Sequence, residues 1–181
     1  HTLRVNPKDP HGLVWYTDAG RNSVFYIHPK TGHVKEYHLL GKNQAVAAGK
    51  GESRGLTPYG LDFAPDGSIW YSKLNANRIG RIDPKAPDGD IKEWNPPFRG
   101  PRRHHVDQDG IVWVPGFGSG VLGRFDPKSE QWTTYALPDY DNQIPYALNI
   151  DAKGIVWICG TGNDTIGRFD PKTERLIEIP M

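Results

Sequence analysis

The sequence predicts an all-β chain, four consecutive four-stranded antiparallel blades of a β-propeller, and three observations carry that prediction. First, Trp15, Trp70, Trp113 and Trp157 each stand in a short apolar run (VWYT, IWYS, VWVP and VWIC). Second, the Trp spacings are 55, 43 and 44 residues, and a proline follows each Trp at a constant offset of 14 residues, at Pro29, Pro84, Pro127 and Pro171. A period of about 40–45 residues is the length of one propeller blade. The longer first step fits the same unit with about a dozen extra residues in one loop, the polar, Gly/Ala/Lys-rich stretch 41–55. Third, the composition suits strands and turns: 36% apolar residues, six Trp, eight Tyr, 21 Gly and 16 Pro in 181 residues leave little room for helix.

The elements follow in order from one blade to the next. The second blade is the clearest: Tyr59 to Phe63, a turn at Pro65-Asp66-Gly67, Ile69 to Ser72, a loop over Leu74 to Arg78, Ile79 to Ile82, a turn from Asp83 to Gly89, and Ile91 to Trp94. Asp-Gly between two apolar runs signals a tight hairpin turn in which both central residues take positive φ. It recurs as Asp109-Gly110, while Lys153-Gly154 and His11-Gly12 keep the glycine. The glycine of Gly80-Arg81, Gly123-Arg124 and Gly167-Arg168 is expected to let a strand approach a neighbouring blade's Trp. The outer strands Val34 to Tyr37, Ile91 to Trp94, Trp132 to Tyr135 and Leu176 to Ile179 alternate apolar with polar residues, as a strand with one solvated face does. The chain reads as one propeller domain or fragment over 1–181, with blades at about 1–40, 56–97, 100–138 and 144–181 and the loop insertion 41–55. Rings of this kind close with about four to eight blades. With no strand shared across the seam, these four are expected to be an arc of a larger ring, with apolar end faces open to self-association.

Charge and length exclude some functions. A formal net charge of +1 gives no electrostatic ground for a nucleic-acid or anionic-membrane partner. No window approaches the run of about 18 apolar residues that spans a bilayer. The single Cys159, inside VWICG, reads as a buried small hydrophobe. The chain opens on His1 and strand-like residues, which suggests a piece of something longer.

The run from Pro58 through Ser72, followed by Asn77-Arg78-Ile79-Gly80-Arg81-Ile82-Asp83-Pro84, resembles the virginiamycin B lyase (streptogramin lyase) family of propellers. The resemblance covers all four repeats in their Trp, Gly-Arg-Ile/Phe-Asp-Pro and Pro-x-Gly/Ala-Leu elements. It extends more loosely to gluconolactonase-like and NHL-type propellers. The resemblance implies a seven-bladed ring. It also implies a pattern in which a Pro-His at an inner-strand start and a Glu fourteen residues later hold Mg2+ and carry an elimination. The positions matching that histidine are Tyr59, Arg102 and Tyr146; those matching the glutamate are Asp18, Lys73, Gly116 and Gly160. No catalytic residue is therefore assigned, and no cofactor. Mg2+ enters only with the alternative, a metal-dependent lyase eliminating across a C–O bond, or a lactonase, whose catalytic residues lie partly in blades absent from this chain.

Candidate binding residues follow from the inner strands, whose starts converge on the channel. Tyr59, Arg102 and Tyr146 are expected to face one another at its mouth with Lys73 and Asp18 nearby, a cationic, aromatic funnel for a small anionic or sugar-like ligand or for a protein partner. The competing reading has these side chains bonding across the channel to hold blades in register. Arg102-Arg103-His104-His105 is the strongest departure from the repeat, replacing Tyr59 to Asp62 and Tyr146 to Asn149. Adjacent strand residues face opposite ways, so His104 and His105 cannot share one metal. One of them could ligate a metal with a carboxylate from another blade; the other reading is a histidine buried between blades and bonded to a backbone carbonyl. His28, His33 and His38 fall at strand ends and turns and read as exposed. The glycine-rich loops Gly116 to Gly120 and Gly160 to Asn163 have no following helix to cradle phosphate, but could border a cleft. The expected function is a ligand- or protein-binding propeller, extracellular or periplasmic.

Overall fold

A computed structural model describes residues 2–6, 8–39, 57–138, 144–160, 162 and 164–181. The loop insertion 41–55, and Thr161 and Asn163 of the fourth-blade loop, lie outside the described residues. Among the described residues, sixteen strands form four separate four-stranded antiparallel sheets in simple up-and-down order. The first sheet holds β1 (Leu3–Val5), β2 (Val14–Asp18), β3 (Ser23–Ile27) and β4 (Val34–His38). The second holds β5 (Pro58–Phe63), β6 (Ile69–Lys73), β7 (Arg78–Ile82) and β8 (Lys92–Trp94). The third holds β9 (His105–Val106), β10 (Val112–Gly116), β11 (Val121–Asp126) and β12 (Gln131–Ala136). The fourth holds β13 (Pro145–Ile150), β14 (Val156–Gly160), β15 (Thr165–Asp170) and β16 (Arg175–Pro180).

The four repeated Trp occupy the second strands β2, β6, β10 and β14, in register with Arg4, Asp62, His105 and Asn149 of the inner strands. Each of the first three faces the next sheet. Trp15 packs with Leu61, Ile69, Tyr71 and Ile82; Trp70 with Val112, Val114 and Phe125; Trp113 with Leu148, Val156, Ile158 and Phe169. An aromatic ring of the outer strand stacks on each: Tyr37 at 5.9 Å, Trp94 at 5.4 Å and Tyr135 at 6.4 Å between centroids. Trp15, Trp70 and Trp113 are 3%, 1% and 2% exposed. Trp157 is only half-buried, because no described sheet packs on its face of β14. Leu3, Val5, Ile177 and Ile179, on the two end sheets, are exposed for the same reason.

Two expectations about glycines need correction. In the first hairpin of the third sheet only Gly110 takes positive φ, at 84°, and Asp109 does not. The turn is wider than a two-residue hairpin: Asp107 closes it with its amide on the Ile111 carbonyl, and its carboxylate accepts from Asp109 N, Ile111 N and the Trp113 indole. Asp151 repeats this with Trp157. An aspartate three residues before the turn glycine therefore sets the loop and aims the Trp. Gly80, meanwhile, lies against the ring of Tyr71 in its own sheet, and Gly123 against Phe98 and Trp132, not against a neighbouring blade's repeated Trp.

A hydroxyl relay joins the sheets beside the channel. Ser72 on β6 accepts from Gly60 N at 2.8 Å and donates to the Arg102 carbonyl of the third sheet at 2.6 Å. Thr17 in the first sheet does the same between Thr2 N (3.0 Å) and the Tyr59 carbonyl (3.4 Å). Cys159 stands at the corresponding position of the fourth sheet and accepts from Ala147 N at 3.3 Å. The third sheet has Pro115 there, which has no donor. A parallel bridge between Arg103 and Ala147 is formed at that junction.

Candidate functional site

A proline opposite the end of the second strand leads each inner strand after the first: Pro58 and Pro145 open β5 and β13, paired to Lys73 and Gly160, and Pro101, ahead of β9, bridges Gly116. Proline suits this edge, where no neighbouring strand needs its missing N–H. The register shifts just after it in β5 and β13, and the third sheet is irregular from Arg102 to His104. That irregularity frees the next residue from strict alternation.

The residues so placed are Tyr59, Arg102 and Tyr146, and they do come together. The Arg102 guanidinium carbon lies 3.3 Å from the Phe117 ring centroid, 4.7 Å from that of Tyr146 and 5.4 Å from that of Tyr59. Arg103 adds a second guanidinium, 5.2 Å from the Tyr146 centroid and 5.8 Å from that of Tyr59. Tyr59 and Tyr146 meet hydroxyl to hydroxyl, their rings edge to face at 6.3 Å and 80°. Phe117 stands edge-on to Tyr146 at 6.2 Å. The Arg102 Nε donor is buried without a partner among the described residues. Sequence reasoning named neither Arg103 nor Phe117 as a lining residue, although it read the glycine-rich loop around Phe117 as a possible border of a cleft. The signal for Phe117 was a lone aromatic residue between the glycines of Gly116-Phe117-Gly118.

Lys73 and Asp18 do not join this cluster. Lys73 shares a strand face with Tyr71 and turns outward, 1% exposed, to pair with Glu93 at 2.6 Å, and the Tyr71 hydroxyl donates to the same carboxylate at 2.7 Å. Burial lowers its ammonium pKa, opposed by Glu93. Asp18 ends β2, where its carboxylate accepts from Gly20 N and Arg21 N and sets the turn into β3.

The paired histidines separate as strand alternation requires. His104 is 1% exposed, and burial pushes its pKa down to about 4, so it is neutral near pH 7. The Arg102 backbone carbonyl acts on the ring as a weak hydrogen-bond partner, although neither ring nitrogen makes a bond of full geometry among the described residues. His105 faces the other way. Its Nδ1 lies 3.0 Å from Asp62, and its Nε2 faces the Arg4 guanidinium at 2.8 Å. Since Arg only donates, Nε2 accepts and Nδ1 carries the proton. Arg4 also pairs with Asp62 at 2.8 Å, and Val106 N donates to that carboxylate, tying the first three inner strands together. Burial alone would raise the Asp62 pKa, but the hydrogen bond from His105 and the charge of Arg4 outweigh it and hold it below the usual range.

A divalent cation does not fit the positions where the family resemblance would put one. Arg102 sits on aromatic faces, Lys73 is neutralised by Glu93, and no three His, Cys, Asp or Glu converge among the described residues. The donors present at the mouth are cationic and phenolic. His28 and His33, at strand ends, are half-buried and exposed, and His38 is exposed.

The virginiamycin B lyase family matches residues 50–174. A catalytically inactive virginiamycin B lyase from Staphylococcus aureus, solved with quinupristin, is 26% identical with a TM-score of 0.78, covering 99% of this chain and 54% of that one. A streptogramin B lyase structure is 24% identical with a TM-score of 0.78, covering 99% and 53%. The extracellular domain of a one-component system from B. thetaiotaomicron shares the fold, at 16% identity and a TM-score of 0.71, covering 99% and 24%. No curated protein matches. The chain thus spans about half the length of the lyase structures it resembles.

Proposed function

The chain belongs to the virginiamycin B lyase family, and from that premise we propose that this propeller segment binds a small anionic ligand, a carboxylate above all, at the channel mouth formed by Tyr59, Arg102, Arg103, Phe117 and Tyr146. The observation that carries the reading is Arg102, whose guanidinium is clamped 3.3 Å over Phe117 with its Nε donor buried and unpartnered. A guanidinium fixed by stacking is pre-organised to present its remaining donors to a planar anion. Arg103, exposed beside it, adds charge at the entrance. The aromatic rings supply faces for an apolar or sugar-like body.

Titration calorimetry with a panel of small mono- and dicarboxylates tests this. Arg102→Ala should cost about 1–3 kcal/mol of binding while the fold survives. Unchanged binding with a much lower melting temperature would make Arg102 a strut between blades and end the proposal. An extracellular or periplasmic location goes with this reading, by analogy with the extracellular domain of the same fold. No helix among the described residues is long and apolar enough to cross a membrane.

A second reading, a Mg2+-dependent lyase or a lactonase completed by residues outside this chain, is favoured by family membership and by the half-length match. Metal-dependent ring opening of a streptogramin by the longer protein, with Arg102→Ala without effect, would favour it over the first. A protein partner or self-association on the end sheets is supported by the exposure of Leu3, Val5, Ile177 and Ile179.

A further inference from the structure

The mouth engages the two arginines of the run that departs from the repeat, and leaves His105 to a second cluster farther along the inner strands. Arg4, Asp62 and His105 hold equivalent stations, each opposite a repeated Trp. Asp62 lies three residues beyond Tyr59 on β5, roughly 10 Å at strand rise, so this cluster is separate from the mouth. Arg4, Lys8, Asp62 and His105, with Asn6 and Phe63, line a groove of about 240 Å³. The hydrogen bonds here fix one protonation state. Arg4 Nη2 faces His105 Nε2 at 2.8 Å, and an arginine has only donors to offer, so that nitrogen carries a lone pair. The single ring proton is on Nδ1, 3.0 Å from Asp62. A second ring proton would set N–H against N–H and cation against cation at the 2.8 Å contact. Asp62 cannot take that proton from the ring, since its carboxylate already accepts from Arg4, His105 and the Val106 amide. Against its burial, the bond from His105 and the charge of Arg4 also hold the Asp62 carboxyl below the usual range. The Arg4–His105 contact therefore opens when the ring is protonated. Arg4 keeps its bond to Asp62, and the Nε2 proton and the released Nη2 donor are left facing the groove. Among the described residues that line this groove, Arg4 and Lys8 are the cations facing the ring and Asp62 the one carboxylate. His104, next to it in the chain, is pushed down to about 4 by burial and stays neutral.

We propose that this groove is a second anion site, occupied by a small tetrahedral oxyanion such as sulfate or phosphate when His105 takes up a proton. Protonated His105 and Arg4 each offer the anion a charge-assisted hydrogen bond, and Lys8 adds its charge at the rim, where it is exposed. Arg4 is one-third exposed on its side chain, so its released donor meets the anion without further rearrangement of the sheets. Donors arriving from three elements suit an anion with oxygens in three directions, whereas a planar carboxylate presents two. Neutral His105 opposes the anion twice over: its Nε2 lone pair faces the groove, and it holds the Arg4 donor that the anion needs. Proton and anion therefore bind together, each raising the affinity for the other by the same factor. The site is built on a residue that the repeat does not carry, since the sister stations are Arg4, Asp62 and Asn149.

Sulfate is the probe, because its charge stays constant between about pH 5 and about pH 8, the interval in which histidine titrates. Chloride at matched ionic strength is the blank. Calorimetry on the whole chain should show sulfate affinity rising about 5–150-fold as pH falls across that interval. Binding should also take up protons, read from the heats in two buffers of different ionisation enthalpy. His105→Gln should abolish both the pH dependence and the proton uptake. Lys8→Gln, a change at an exposed side chain, should weaken sulfate binding about two- to fivefold at the acidic end and leave the melting temperature unchanged. Phosphate should displace sulfate and acetate should not; acetate competing as well as phosphate overturns the tetrahedral assignment. Affinity flat with pH, or a pH dependence unchanged in His105→Gln, overturns the proposal. Arg102→Ala removes the guanidinium of the mouth and should leave the sulfate linkage intact, whereas loss of sulfate binding in that variant would place the anion at the mouth alone and end the second site. Should His105→Gln fail to fold, the nuclear magnetic resonance signals of the His105 ring in the unaltered chain decide: sulfate at about pH 6 must move them, and unmoved signals refute the site.

Discussion

Replacing Ser72 by alanine removes the hydroxyl that joins the second sheet to the third immediately behind Arg102. The structure sets the magnitude. Ser72 is fully buried, so water cannot take over either bond. The Gly60 N–H loses the acceptor at 2.8 Å and becomes an orphaned donor, costing about 1–3 kcal/mol. The Arg102 carbonyl loses a donor at 2.6 Å but keeps the His104 amide at 3.0 Å, so its share is smaller, about 0.5–1 kcal/mol. Ser72→Ala should therefore destabilise by about 1.5–4 kcal/mol, or roughly 3–16 °C in melting temperature for a chain of this size. Urea unfolding with an unchanged m-value is the assay, since a change confined to the midpoint reports stability alone. Thr17 and Cys159 occupy the same station in sister sheets, so Ser72→Thr should recover most of the loss and Ser72→Cys less, sulfur being the weaker partner. A loss below about 0.5 kcal/mol for Ser72→Ala, or no rescue by Thr, would refute the relay. The same variant should weaken carboxylate binding, because it loosens the backbone that presents Arg102.

Asp62 gives a pH prediction with a definite sign. Its folded-state pKa lies below the ordinary value, so its stabilisation is present above the ordinary carboxylate pKa and is lost as pH falls through the folded-state value. Asp62→Asn should flatten the acid limb of a stability-versus-pH curve, and an unchanged limb would show that the Arg4–Asp62–His105 link contributes nothing. Lys73→Met leaves the Glu93 carboxylate buried beside Tyr71 and should cost about 3–5 kcal/mol, with Lys73→Met/Glu93→Leu recovering much of it in denaturant melts. Gly80→Ala drives a methyl into the Tyr71 ring and should cost about 1–3 kcal/mol; a neutral result would mean that β7 can shift. Phe117→Ala should weaken carboxylate binding about tenfold by freeing the Arg102 guanidinium, without lowering the melting temperature by more than a few degrees.

The sheets were legible because a Trp every 43 or 44 residues and a proline 14 further on leave one economical path for the chain. Convergence of Tyr59, Arg102 and Tyr146 followed from the same register, since each comes just after a proline that pairs with the end of a second strand. Lys73 shows where that reasoning stops. It aligns with Gly116 and Gly160, and alignment placed it at the mouth, yet alignment fixes a Cα and not the direction of a long side chain. Two residues earlier on the same face stands Tyr71, bonded to Glu93, and a flexible ammonium next to a buried carboxylate goes to it rather than to a cluster already holding two guanidinium groups. Glu93 was visible in the sequence only as one more polar residue of an alternating outer strand. Nothing short of the β7–β8 register, which sets it opposite Gly80, brings it within reach of Lys73. Arg102 has no such partner among the described residues. It lies in the part of its sheet that is least regular, where a two-residue inner strand leaves its side chain to stack on a loop aromatic. The positive charge at the mouth is thus supplied by the two arginines that break the repeat, and the lysine that keeps register with it serves the core.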